Sequence, residues 1–339
     1  MQAELTPEDV FHVTDMHTGG EPVRIVTAGW PAVPGRTILD KRAFVRSHHE
    51  SFRRFLMFEP RGHYDMYGVL PVEPSLPGAD LAVLFMHNEG WSTMCGHAVI
   101  ALGRWAVDTG LVAAVEPLTT VNIECPCGLV VAAVEVRDGR AGAVSFESVR
   151  AFVLAADRTV DVPGFGPVRF DVAYGGAFYA LADCRQFGLE FGRSRARAFV
   201  DAASALSDAV REAVPLSHPA SADLAFLYGS ILTDGGDGAS APTRNVCVFA
   251  DAEVDRSPTG SGVTARLAVM HARGELGIGE ERVFESIVGS RFTGSIVRTM
   301  KEGPHDAIVA RVGGMAYYSG KAKFRWEAQD RLGQGFLLR

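Results

Sequence analysis

The chain has 339 residues, 47% of them hydrophobic and 22% charged, with a net charge of -7. That is enough chain to bury a large core and suggests two domains. It excludes disorder as the main description and argues against nucleic acid or an anionic membrane as the principal partner. Five cysteines are too few and too irregularly spaced for a disulfide scaffold, and an odd number cannot pair completely within one chain.

In chain order, Met1 to Val10 lacks the basic segment and apolar run of a secretory or transit signal. No window reaches the roughly 18 apolar residues of a spanning helix. The expectation is a cytoplasmic protein with reduced thiols. Apolar runs predict strands at Val23 to Val26, Leu81 to Met86 and Thr119 to Ile123. Leu129 to Val136 and Ala143 to Val149 flank Arg137-Asp138-Gly139-Arg140, and Asp-Gly is a strong hairpin signal. Further strands are expected at Val168 to Tyr174, Asn245 to Ala250, Ser295 to Met300, Ala307 to Val312 and Met315 to Tyr318. Arg193 to Val214 reads as a surface helix, with Phe199, Ala203, Leu206 and Val210 at helical spacing. Strands and helices do not alternate regularly, so an α+β protein fits better than a doubly wound parallel sheet.

Two further segments read as short helices that are apolar nearly all round and must therefore be buried. Met94 to Val107 is stopped by Gly110, and Ser257 to Met270 by Gly274. Advanced by 164 positions, Cys95 falls on Thr259, Gly96 on Gly260, Ala101 on Ala265 and Gly110 on Gly274. So few coincidences leave an internal duplication undecided on spacing alone. The amino end of a buried helix offers backbone donors and the positive end of a dipole, and glycine there lets a ligand come close. If two such ends face one cleft, a substrate carboxylate is the natural occupant.

Cys95 stands at the start of the first of these helices, where the dipole and nearby amides lower a thiol's pKa. The bland alternative is a small buried hydrophobe, the commoner fate of a cysteine. The glycine-flanked position and His97 two residues on weigh towards a thiolate. Cys125-Pro126-Cys127 has no second pair to complete a metal site, and Cys184 and Cys247 read as structural. His17, His48, His49, His63 and His87 lack metal-ligand spacing. Gly175-Gly176 and Gly235-Gly236-Asp237-Gly238 match neither the dinucleotide nor the phosphate-loop fingerprint. No metal and no cofactor is signalled. Asp255 is an ordinary loop carboxylate, a partner for Arg256, or an ammonium site beside the second helix. Thr259 reads most simply as that helix's N-cap.

Four motifs together, Asp15-Met16-His17-Thr18-Gly19-Gly20-Glu21-Pro22, Met94-Cys95-Gly96-His97, Gly175-Gly176-Ala177-Phe178-Tyr179 and Asp255-Arg256-Ser257-Pro258-Thr259-Gly260-Ser261-Gly262, resemble the proline racemase family over nearly the whole chain. The resemblance implies two pseudo-symmetric domains of diaminopimelate epimerase-like fold. Each would wrap strands round a central buried helix, with the active site in the cleft between them. A first domain over 1–140 would carry Cys95 and be completed by about 315–339. The second, over 141–314, would carry Asp255 and Thr259. A homodimer acting on a small amino acid, without cofactor, is implied.

Racemases and hydroxyproline epimerases of that family place two cysteines on opposite faces of the substrate Cα. Cys95 matches the first, but Thr259 stands where the second would be. A hydroxyl is a far weaker acid than a thiol, whose reference pKa is about 8.5, so two-faced proton exchange should fail. The change resembles the trans-3-hydroxy-L-proline dehydratase branch of the family, with Δ1-pyrroline-2-carboxylate as the implied product. Stereochemistry agrees. In the trans-3-hydroxy compound the Cα hydrogen and the hydroxyl share one ring face, so their removal is a syn elimination that needs one base. Cys95 would take the proton, and amides around Gly96, His97, Gly260 and Ser261 would hold the carboxylate. Asp255 would bind the ring ammonium. The proton for the leaving hydroxide is most economically supplied by the Cys95 thiol or a water relayed from it. The alternatives are a hydroxyproline epimerase or proline racemase that tolerates Thr259, and a non-catalytic amino-acid binder.

Overall fold

A computed structural model describes residues 5, 6 and 9–338. The reading of Met1 to Val10 as free of a signal therefore lies largely outside the described residues. The chain divides into two compact units. One comprises residues up to Val144 together with Met315 onward, and the other is Ser145–Gly314.

In the first unit the strands Ala316–Arg325, Val10–Thr18 and Glu21–Ala28 run antiparallel to one another. Glu21–Ala28 pairs in parallel with Tyr67–Val72, which is antiparallel to Leu81–His87. The latter is parallel to Leu118–Cys125, and Gly128–Arg137 closes the series antiparallel. Two helices cover one side: α1 (Ile38–His48) and α2 (Glu50–Met57). Both were missed in the sequence because their charged faces break the apolar run. Yet a capping box at Thr37 and Asp40 marks the start of α1. Phe52, Phe55 and Leu56 of α2 join Phe11, Val26 and Leu84 in the core. The third helix, α3 (Gly96–Asp108), packs against Val10–Thr18, Gly128–Arg137 and Ala316–Arg325.

The second unit repeats this order. Ala151–Val162, Gly166–Tyr174 and Phe178–Asp183 run antiparallel, then come a parallel step to Leu227–Thr233 and an antiparallel one to Thr243–Phe249. A parallel step reaches Glu281–Ser286 and an antiparallel one Arg291–Glu302. His305–Gly314 then pairs back to Ala151–Val162 through Ala307 and Phe152, so the ring closes. The long helix α4 (Ala196–Ala213) lies against it, and its predicted stripe of Phe199, Ala203, Leu206 and Val210 is buried. The fifth helix, α5 (Gly260–Ala272), packs on five strands of the ring, with every residue from Gly260 to Met270 buried.

The same sequence of antiparallel and parallel steps in both units, each round one buried helix, decides the duplication that spacing left open. The two helices match end to end at the predicted offset of 164 positions. Each ends through a residue in the right-handed helical region, Thr109 or Arg273, followed by a glycine at φ +74° or +72°. Only glycine adopts that left-handed geometry without cost. The Asp-Gly turn also forms as expected, with Asp138 and Gly139 both at positive φ. Among the described residues no helix is long and apolar enough to cross a membrane.

Candidate active site

In the first unit, the short strand Trp91–Ser92 leads into Thr93, Met94 and Cys95. The amide of Cys127 donates to the Thr93 carbonyl at 3.1 Å, tying the Cys125–Gly128 turn to this approach. Cys95 is extended, with φ -149° and ψ 103°, and it is the N-cap of α3. Its sulfur accepts the Ala98 amide at 3.3 Å, where Ser, Thr or Asp would ordinarily place an oxygen.

His97, in the first turn, brings its ring back against that sulfur, with Nδ1 at 3.2 Å and Nε2 at 3.5 Å. Sγ thus lies within reach of both ring nitrogens. An amide donor, the positive end of the helix and an imidazole all favour negative charge on sulfur. Cys95 and His97 are each only 5% exposed. His97 is fixed from two directions: Tyr67 lies edge-on to its ring at 4.9 Å, and the Thr18 hydroxyl donates to its carbonyl at 2.8 Å. Tyr67 is itself held by a hydrogen bond to the Ser92 hydroxyl. Of the Asp15–Pro22 motif, Asp15 is engaged by the Arg24 guanidinium through two bonds of 2.9 Å, so its carboxylate serves the strand pair.

The neighbouring thiol differs. Burial pushes Cys125 well above the ordinary thiol range, and Cys127 and Cys95 nearby push the same way. Cys125 therefore stays protonated.

In the second unit, the strand Glu253–Asp255 ends at a buried carboxylate whose Oδ1 accepts the Ser257 amide at 2.7 Å. The Ser257 hydroxyl accepts the Thr259 amide at 3.1 Å, so Asp255, Ser257 and Thr259 form one chain of bonds into α5. Thr259 departs from the expected capping role. It occupies the N-cap position at φ +65° and ψ 98°, and its side chain makes no capping bond. Its Oγ1 is buried, with no hydrogen-bond partner among the described residues. A β-branched residue at positive φ is sterically costly, and a buried unpaired hydroxyl adds to that cost.

The next turn is tightly built. A Cβ on Gly175 would lie 2.1 Å from the Ser261 carbonyl oxygen and 2.6 Å from the Ala265 amide nitrogen. Gly175-Gly176 thus lets a strand end press on the α5 backbone. The Tyr179 hydroxyl pairs with Ser261 Oγ at 2.7 Å. Deeper in α5, the buried Arg266 donates to Asn245 Oδ1 at 2.9 Å and to Thr243 Oγ1 at 2.6 Å. Asn245 in turn donates to the Pro258 carbonyl at 3.0 Å, so Arg266 props the loop before Thr259. Burial lowers the Arg266 pKa to about 10, which leaves it charged at neutral pH.

The sequence reading singled out Cys95, Gly96 and His97, which the first unit brings together, and Asp255, Thr259, Gly260 and Ser261, which the second brings together. It missed Tyr67, Asn245 and Arg266. Only Arg266 carried a signal, as a lone charge in an otherwise apolar helix.

Two matched units, each wrapping strands round a buried helix with a cysteine or a threonine at its start, define a diaminopimelate epimerase-like fold. The proline racemase family model matches residues 13–337, and the chain belongs to that family. It is 55% identical over 345 residues to trans-3-hydroxy-L-proline dehydratase of Homo sapiens, covering 99% of this chain and 98% of that one. It is 54% identical over 341 residues to trans-L-3-hydroxyproline dehydratase of Xenopus tropicalis, covering 99% and 98%. A hydroxyproline epimerase from Agrobacterium vitis, solved with bound trans-4-OH-L-proline, superposes with a TM-score of 0.90 at 29% identity, covering 98% of this chain and 96% of that one.

Proposed function

We propose that this protein is a hydro-lyase that converts trans-3-hydroxy-L-proline to Δ1-pyrroline-2-carboxylate. The observation that carries the reading is the unequal pair of helix starts. Cys95 has an amide and an imidazole on its sulfur, whereas Thr259 has no thiol and its hydroxyl finds no hydrogen-bond partner among the described residues. One base serves a reaction confined to one face of the ring, and syn loss of the Cα hydrogen and the 3-hydroxyl is such a reaction. High identity to relatives named for this dehydration supports the same substrate.

In this mechanism the Cys95 thiolate removes the Cα proton. First-turn amides at Gly96 and His97, and at Gly260 and Ser261, bind the carboxylate and stabilise the charge that develops there. Asp255 binds the ring ammonium, which keeps the amine protonated and acidifies Cα. The carbanion expels the 3-hydroxyl from the adjacent carbon, and the resulting enamine tautomerises to the product. A 4-hydroxyl is one carbon too far for this step. A reducing, cytoplasmic setting is part of the proposal because a thiolate base is lost on oxidation. A homodimer is carried over from the family resemblance.

The direct test is an assay of the purified protein on trans-3-hydroxy-L-proline without added cofactor, trapping the ketimine product chemically. Product formation is expected, and it should fall by about a thousandfold in Cys95→Ser. The second reading, epimerisation, is favoured by the close superposition on the A. vitis epimerase. Inversion of 4-hydroxy-L-proline with no water loss from the 3-hydroxy compound would replace the first reading by the second.

A further inference from the structure

We infer that His97 is the acid that protonates the departing 3-hydroxyl, and that Cys95 afterwards recharges it. The inference rests on the dehydratase reading and supplies the step that reading leaves open. Hydroxide is a poor leaving group, so the elimination needs a proton donor as well as a base. Because the Cα hydrogen and the hydroxyl share one face, the donor must stand beside the base on that face. The ring of His97 stands there, 3.2 Å from the sulfur at Nδ1 and 3.5 Å at Nε2.

A thiol acting alone would have to accept the Cα proton and hand it on to the neighbouring oxygen within one event. Two adjacent groups divide that labour. The matched position in the second unit is Ser261, whose hydroxyl is taken up by Tyr179. The acid, like the base, therefore belongs to one unit only. Tyr67 against the ring and Thr18 on the carbonyl hold His97 in place for the task.

The protons balance. The reactive state pairs the Cys95 thiolate with the His97 imidazolium. The thiolate takes the Cα proton, the C3–O bond breaks with its electron pair on oxygen, and the imidazolium gives that oxygen a proton, releasing water. A thiol and a neutral imidazole remain. Transfer across the 3.2 Å contact restores the starting pair.

The test compares trans-3-hydroxy-L-proline with trans-3-fluoro-L-proline, whose fluoride leaves without needing a proton. His97→Gln also removes support for the thiolate and so slows both reactions, but water loss should fall by at least about tenfold more than fluoride release. Exchange of the Cα hydrogen in deuterated water should continue. His97→Asn should behave likewise. In the wild-type enzyme, rising pH should suppress water loss as the imidazolium deprotonates, while fluoride release persists. That arm needs no variant to fold. Equal slowing of both substrates, an unchanged rate of water loss, or parallel pH profiles would overturn the assignment while leaving the dehydratase reading intact. A wild-type enzyme that exchanges Cα hydrogen yet never releases water from the hydroxy substrate would overturn both.

Discussion

The two buried helices of this chain are nearly the same object built twice. Both span 13 residues. In each, the first valine donates back to the N-cap carbonyl, from Val99 to Cys95 at 3.0 Å and from Val263 to Thr259 at 2.7 Å. Both close on a positive-φ glycine. Besides the buried Arg266 of α5, which stands where α3 has Leu102, the difference that bears on chemistry lies at the amino ends. Cys95 lies in relaxed extended geometry with its sulfur engaged, whereas Thr259 sits at φ +65° with an unpaired buried hydroxyl. Under the proposed reading, only the Cys95 end takes part in proton transfer. The other end retains a strained residue that contributes neither a cap nor a base. Strain of this kind persists where surrounding structure fixes it, and here the Asp255–Ser257–Thr259 chain and the Arg266–Asn245–Pro258 prop do so.

Substitutions can break that comparison in order of size. Cys95→Ser removes the reactive end and should lower turnover by about a thousandfold, the scale of a lost general base, with an unchanged far-ultraviolet spectrum and melting temperature. Gly175→Ala drives a methyl group into the α5 backbone and should cost about 3 kcal/mol, read as a lower urea midpoint at unchanged slope. Thr259→Gly tests the strain directly. It relieves the positive φ and removes the unpaired hydroxyl but loosens the unfolded chain, so a net gain of about 1 kcal/mol is expected by urea titration. A loss of stability would mean that Thr259 is comfortable where it sits. The smallest effect belongs to Cys184, whose thiol burial pushes up to about 11. Protonated at neutral pH, it takes no part in base chemistry, and Cys184→Ala should leave kcat/KM at the wild-type value.

Much of this contrast was legible in the amino acids. All-round apolarity and glycine stops marked both helices, because burial demands the one and a left-handed exit the other. The carrying motifs located Cys95, His97, Asp255 and Thr259. The conformation of Thr259 was not legible: threonine is a common N-cap, and nothing local announces that the chain enters α5 at positive φ. The spacing of Cys95 and His97 was legible, but the placement of the His97 ring was not, since Tyr67, which packs against it, comes from a separate strand. The Arg266 prop escaped for the same reason, because its partners Thr243 and Asn245 come from another strand. Local pattern gives elements and caps, while side-chain pairing across strands needs the register.

The central claim is that chemistry is confined to the face served by Cys95. It is tested most directly by incubating wild-type enzyme and Thr259→Cys with trans-4-hydroxy-L-proline in deuterated water and following Cα by NMR. Wild type should give no inverted product, and deuterated, inverted product should appear once a thiol stands at position 259. Robust inversion by the wild-type enzyme, with Thr259 in place, would contradict it.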